Sequence, residues 1–76
     1  MPHVIVKLIP GRSEDMKMNL AKQIAEDVSH GLNIDMGYVS VAFEEVGGEL
    51  WREQVYRKEI KDNIDVYIQP DHKLFE

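Results

Sequence analysis

Six consecutive residues near the start of the chain, Val4-Ile5-Val6-Lys7-Leu8-Ile9, are apolar at every position but one, and three of them are β-branched at the head of the run. A strand with one wet face alternates apolar and polar residues. A run without alternation needs cover on both faces, which is the habit of parallel strands. A parallel pair cannot be closed by a tight hairpin and needs a crossover long enough to carry a helix. This run therefore constrains the fold more than any other stretch.

The sequence supplies such a crossover. Pro10-Gly11 ends the strand, since proline lacks the ladder donor and glycine permits the turn. Ser13 reads as a helix N-cap, with Glu14 and Asp15 placed to favour the positive end of the dipole. The spacing of Leu20, Ala21, Ile24, Ala25 and Val28 predicts an amphipathic helix over 15–30, stopped by a left-handed Gly31 with His30 beside it. Residues 33–37 read as a loop. Val39, Val41 and Phe43 alternate with Ser40, Ala42 and Glu44, which predicts a second strand over 38–46. Gly47-Gly48 breaks it. A second helical pattern starts at Glu49 and runs through Leu50, Trp51, Val55, Ile60 and Ile64, with Tyr56 and Tyr67 beside it. Asp62-Asn63 is a point of interruption, Pro70 is the end, and the last six residues are a loose or partner-docked tail.

The expected fold class is α/β (α+β), a single 1–76 domain of β-α-β-α order with a right-handed crossover and parallel strands. Two strands leave open edges and are not stable alone. A second subunit is expected to complete the sheet. The chain has 76 residues and no cysteine, so no disulfide, thiolate nucleophile or Cys zinc site supports its thin core, and oligomerisation is the natural remedy. A net charge of −5 disfavours a nucleic-acid partner. No apolar run approaches the ~20 residues of a membrane helix, and the start lacks a signal pattern, so a cytoplasmic location is expected.

Position two carries the first chemical signal. Initiator methionine is trimmed when a small residue follows, and Pro2 qualifies. Removal of Met1 leaves a rigid secondary amine whose reference pKa lies near ~7.7–8.0, and apolar or cationic surroundings lower it further. Such a base suits proton transfer at carbon.

A strand opening Met1-Pro2, then Gly11-Arg12-Ser13, a helix of this length, the strand over 38–46 and the pair Gly47-Gly48 together resemble the 4-oxalocrotonate tautomerase family. The resemblance covers residues 2 to about 50. It implies a cofactor-independent keto-enol isomerase acting on a 2-oxo acid or its enol, with Pro2 as general base and Arg12 as the carboxylate ligand. Ser40 falls where the family carries a second arginine, which argues against a dicarboxylate substrate. Trp51 stands in place of an aromatic pocket wall, and Arg52 beside it is a candidate replacement for the missing cation. Leu50-Trp51-Arg52 leads into a long helical tail where hexameric members end. That ending and the opening Met-Pro-His are similar to the small dimeric bacterial phenylpyruvate-type subgroup, which implies a homodimer rather than a hexamer and an aromatic enol such as phenylenolpyruvate.

Other constellations carry less. His3, His30 and His72 lack ligand spacing, so no metal is expected. Glu44-Glu45 are successive strand residues that face opposite sides. Lys7 reads as a rim or interface charge. His3 adjoins Pro2, where a cation would depress the amine pKa. Two other functions fit the same fold: a non-catalytic oligomeric small-molecule-binding domain, and a different proline-dependent reaction such as dehalogenation or decarboxylation, for which no second acid is evident.

Overall fold

A computed structural model describes residues 1–75. They form two compact units, Met1–Glu45 and a second that begins at Val46.

The first unit contains the parallel pair. β1 (His3–Leu8) and β2 (Ser40–Glu45) run parallel, with His3 opposite Ser40, Ile5 opposite Ala42 and Leu8 opposite Glu45. Directly paired residues share a face. Val4, Val6 and Leu8 therefore lie with Val41 and Phe43 on one side, and His3, Ile5 and Lys7 lie with Ser40, Ala42 and Glu44 on the other. The first side is covered by α1 (Glu14–Leu32), whose Met18, Leu20 and Ala21 line clefts together with Leu8, Val41 and Phe43. No element of the first unit covers the second side, where Ile5 remains 53% exposed. The cover on both faces that the β1 run calls for is thus supplied by the first unit on one face.

α1 begins as expected. The Ser13 hydroxyl accepts from the Met16 N–H at 3.2 Å, and Glu14 and Asp15 occupy the first turn. The helix runs two residues past His30, because Gly31 stays helical and Asn33 takes the left-handed conformation instead, at φ 55°. The Asn33 N–H donates to the His30 carbonyl at 3.3 Å and the Ile34 N–H to the Ser29 carbonyl at 3.0 Å, the paired bonds of a Schellman ending. Asparagine is one of the few residues besides glycine that visits this conformation, since its short polar side chain can hydrogen-bond locally. The Ser29 hydroxyl then donates to the Ile34 carbonyl at 2.6 Å. Gly11, at φ 129°, makes the turn between β1 and α1 in a region closed to other residues.

β2 starts two residues later than the alternation suggests. The Asp35 carboxylate accepts from the Gly37 N–H at 2.7 Å and caps a short 3₁₀ turn, Met36–Tyr38. That turn uses the backbone groups that a strand would have needed.

The second unit opens with one α-helical turn, α2 (Gly48–Trp51), which continues as a wider helix with i→i+5 bonds over Arg52–Ile60. The residues withdrawn from solvent there are Trp51, Val55, Tyr56 and Ile60. From Trp51 to Ile60 an ordinary helix turns about two and a half times and would set the two on opposite sides. In a helix of i→i+5 pitch the same step is close to two full turns, so all four share one side. The wider helix follows the apolar spacing. It ends at Ile60, ten residues before Pro70. Asp62 is left-handed at φ 58°, and Asn63 uses its amide to donate to the Glu59 carbonyl at 2.8 Å and accept from the Asp65 N–H at 2.9 Å, so the break falls at Asp62-Asn63. Within the tail, His72–Phe75 form a 3₁₀ turn whose His72 Nδ1 is hydrogen-bonded to the Tyr56 hydroxyl. Glu76, the last residue of the expected tail, lies outside the described residues.

Among the described residues only Val55 and Tyr56 are buried. No helix among them is long and apolar enough to cross a membrane.

Candidate active site

Pro2 sits at the head of the parallel ladder. The Ser40 N–H donates to the Pro2 carbonyl at 3.2 Å, which fixes the residue where β1 begins. The Met1 ammonium donates to the Tyr38 carbonyl at 3.0 Å. In a parallel ladder that carbonyl faces the nitrogen of residue 2. Proline within a chain has no N–H to offer there, and the terminal ammonium takes the acceptor instead. With Met1 attached, the Pro2 nitrogen is an amide and carries no basic lone pair.

The first ladder pair brings two side chains together on the open face of the sheet. His3 Nδ1 and Ser40 Oγ are 2.6 Å apart. Counting two strands into register would have predicted this neighbour relation, but the late start of β2 hides the count in the sequence alone. Ser40 therefore holds the Pro2 carbonyl through its backbone N–H and the His3 ring through its hydroxyl.

Arg12 belongs to the other end of the strand. It lines a mostly apolar cleft of about 230 Å³ with Leu8, Met16, Leu20 and Phe43, and Lys17 at its side. Arg12 is exposed and has no ion-pair partner among the described residues. A guanidinium above an apolar cup can bind a carboxylate whose organic part lies against carbon. A neighbouring cleft of about 330 Å³ is lined by Glu14, Lys17, Met18, Ala21, Val41 and Phe43. Lys17 joins these clefts to α1: its ammonium lies 2.8 Å from Glu14 and 3.8 Å from Glu45. Its pKa is raised above the ordinary 10.5, chiefly by the hydrogen bond to Glu14 and further by the charges of Glu14 and Glu45, against an opposing effect of burial.

The six residue steps from Pro2 to Leu8 span ~20 Å of strand. Arg12 lies beyond that end, so one chain does not bring its own Pro2 and Arg12 onto the same small molecule.

Trp51 and Arg52 belong to the second unit. The Trp51 indole N–H is buried and has no hydrogen-bond partner among the described residues. Arg52 is exposed on the next position and makes no ion pair among the described residues, whereas Arg57 on the same helix is paired to Glu53 at 2.9 Å. Among the described residues, no group of three or more potential ligands is assembled for a metal ion.

The chain matches the family described as Tautomerase enzyme over residues 2–56. It is 43% identical over 61 residues to a probable tautomerase of Xylella fastidiosa, covering 80% of this chain and 74% of that protein. It is 37% identical to Tautomerase PptA of an Enterobacter species, covering 91% of this chain and 92% of that one. A crystal structure of apo unFused 4-OT superposes with a TM-score of 0.62 at 22% identity, covering 64% of this chain and 80% of that one, and shares its fold. With the parallel β-α-β frame, a proline at its head and these relatives in agreement, the chain belongs to the tautomerase family, and so is an enzyme of the isomerase class.

Proposed function

We propose that the protein is a cofactor-independent tautomerase that interconverts the enol and keto forms of an aromatic 2-oxo acid, with phenylenolpyruvate as the type substrate. Removal of Met1 turns the Pro2 nitrogen from an amide into a secondary amine. The unprotonated amine takes a proton from one end of the enol-keto system, and the resulting ammonium returns it at the other. The observation that carries this reading is the bond from the Ser40 N–H to the Pro2 carbonyl at 3.2 Å, which holds the amine at a fixed place at the head of the sheet.

Arg12 binds the substrate carboxylate from a second copy of the chain, since its own Pro2 lies a strand length away. A homodimer meets that need and covers the open sheet face on which Ile5 is half exposed. Trp51 supplies an aromatic wall and Arg52 an additional cation at the rim. Ser40, uncharged, leaves the Pro2 end of the pocket without a second anion clamp, which favours a monocarboxylate.

The test is ketonisation of phenylenolpyruvate beside 2-hydroxymuconate, using protein whose N-terminus is established by intact mass. Trimmed protein is expected to prefer phenylenolpyruvate, with kcat/KM rising through a single ionisation below ~7.7. Protein that retains Met1, or whose terminus is acylated, is expected to be inactive. Equal rates for trimmed and untrimmed protein would remove Pro2 as the base.

A further inference from the structure

We propose that Ser40 and His3 form a neutral hydrogen-bonding unit for the substrate's 2-oxygen, in which Ser40 is a positioning residue and His3 makes the contact. The proposal rests on the reading of Pro2 as the base and adds a donor to the oxygen, while Pro2 moves the proton between that oxygen and the carbon.

Three observations lead there. His3 Nδ1 and Ser40 Oγ are 2.6 Å apart on the first pair of the ladder. The same Ser40 binds the Pro2 carbonyl through its backbone N–H at 3.2 Å. One residue thus ties down both the strand end that carries the amine and the adjacent imidazole. Finally, His3 Nε2 has no partner among the described residues, and the ring lies on the open face of the sheet.

The chemistry follows from the tautomer. When the Ser40 hydroxyl donates to Nδ1, the ring proton resides on Nε2. His3 then presents a fixed N–H donor one residue from the base. Once Pro2 has taken the proton from the 2-hydroxyl or, in the reverse direction, from the adjacent carbon, the enolate's negative charge gathers on the 2-oxygen until the ammonium returns the proton, and a pre-placed donor stabilises it. His3 gives a hydrogen bond and keeps its proton. The proton that moves passes between the Pro2 nitrogen and the substrate. The cation on this face of the strand, Lys7, is four residues along, ~13 Å away, and Arg12 lies at the opposite end. A neutral donor favours a 2-oxygen flanked by an uncharged group over one flanked by a second carboxylate.

The experiment uses trimmed protein verified by mass, with Ser40→Ala, Ser40→Thr, His3→Ala and His3→Gln compared in the ketonisation assay. His3→Ala and Ser40→Ala are expected to lower kcat about tenfold or more, with KM changed less. Ser40→Thr, which keeps the hydroxyl, is expected to return most of the rate, and His3→Gln, which keeps an N–H, to exceed His3→Ala. In parallel, ¹⁵N spectra of the histidine rings in the unmutated protein should report Nε2–H for His3, lost on Ser40→Ala, and a shift of Nε2 when phenylpyruvate is added. Unchanged kcat in both alanine variants, or a His3 signal indifferent to phenylpyruvate, overturns the proposal. If the unmutated protein does not ketonise at all, it is the Pro2 reading that has failed. The spectra then decide the His3 contact by themselves, since they need binding and no turnover.

Discussion

Leaving an N–H donor buried without a partner costs about 1–3 kcal/mol, and the Trp51 indole is in that condition among the described residues. Replacing Trp51 by phenylalanine keeps an aromatic ring and deletes the donor. Trp51→Phe is therefore expected to raise the unfolding free energy of the ligand-free protein by ~1 kcal/mol, read by urea denaturation at fixed protein concentration. A loss of similar size would mean that a second copy satisfies the nitrogen. On the proposed mechanism Arg12 is the opposite case, an exposed cation assigned to binding rather than to folding. Arg12→Ala is expected to lower kcat/KM for a carboxylate substrate by roughly 10- to 100-fold, the equivalent of losing one charged hydrogen bond, with the thermal midpoint unchanged. Pro2 was legible as a candidate from its place behind Met1, and Arg12 and Ser40 through the resemblance to the family. The His3–Ser40 contact was not, because it depends on where β2 begins, and the Asp35-capped turn moves that point by two residues.

The elements show the same division between local and non-local causes. Ser13 was readable as a cap because the cap is local chemistry, and Ser13→Ala is expected to cost ~1 kcal/mol. The end of α1 depends on a choice between Gly31 and Asn33 that the Ser29 and Ile34 bonds decide in favour of asparagine. The second helix carried an apolar period longer than 3.6 residues, visible in the spacing of Trp51, Val55, Tyr56 and Ile60, but a 3.6-residue template matches part of it and conceals the wider pitch. Deleting one exposed residue between Trp51 and Val55 sets the four at i, i+3, i+4 and i+8, one side of an ordinary helix, so the shortened helix is expected to lose its wide pitch with little fall in stability, read by urea denaturation. Lys17 links α1 to β2 and makes a pH prediction. Its folded pKa is raised, so the ammonium's contacts with Glu14 and Glu45 stabilise the fold fully below its ordinary value of 10.5 and are lost as pH rises through the higher folded value. The difference in thermal midpoint between the unmutated protein and Lys17→Met is expected to be constant from about pH 7 to 9 and to shrink above pH 10.5. A difference that persists undiminished there would assign the contribution of Lys17 to its carbon chain.

For the molecule as a whole, two buried residues among those described make a core too small to be the entire source of stability. If folding is completed by association, the thermal midpoint depends on protein concentration. A tenfold increase should raise it by roughly 3–6 °C, whereas a self-sufficient monomer would show no such dependence. Whether a neighbouring copy completes the active site can be read from mixtures. Pro2→Ala chains, which keep a primary amine and a residual rate, mixed with Arg12→Ala chains and allowed to exchange should rise to about one quarter of full activity, because half of the dimers are hybrids and one of the two sites in each hybrid keeps both residues. No recovery would place Arg12 in the same chain as its base. The bond from the Met1 ammonium to the Tyr38 carbonyl has a consequence in time as well as in space. On the proposed mechanism, a newly synthesised chain can complete its ladder while still lacking its base. Met1, 98% exposed, remains within reach of an aminopeptidase after folding. Each molecule would then be born as a precursor, matured by the loss of a single residue, and the delay between synthesis and first turnover would be set by that peptidase.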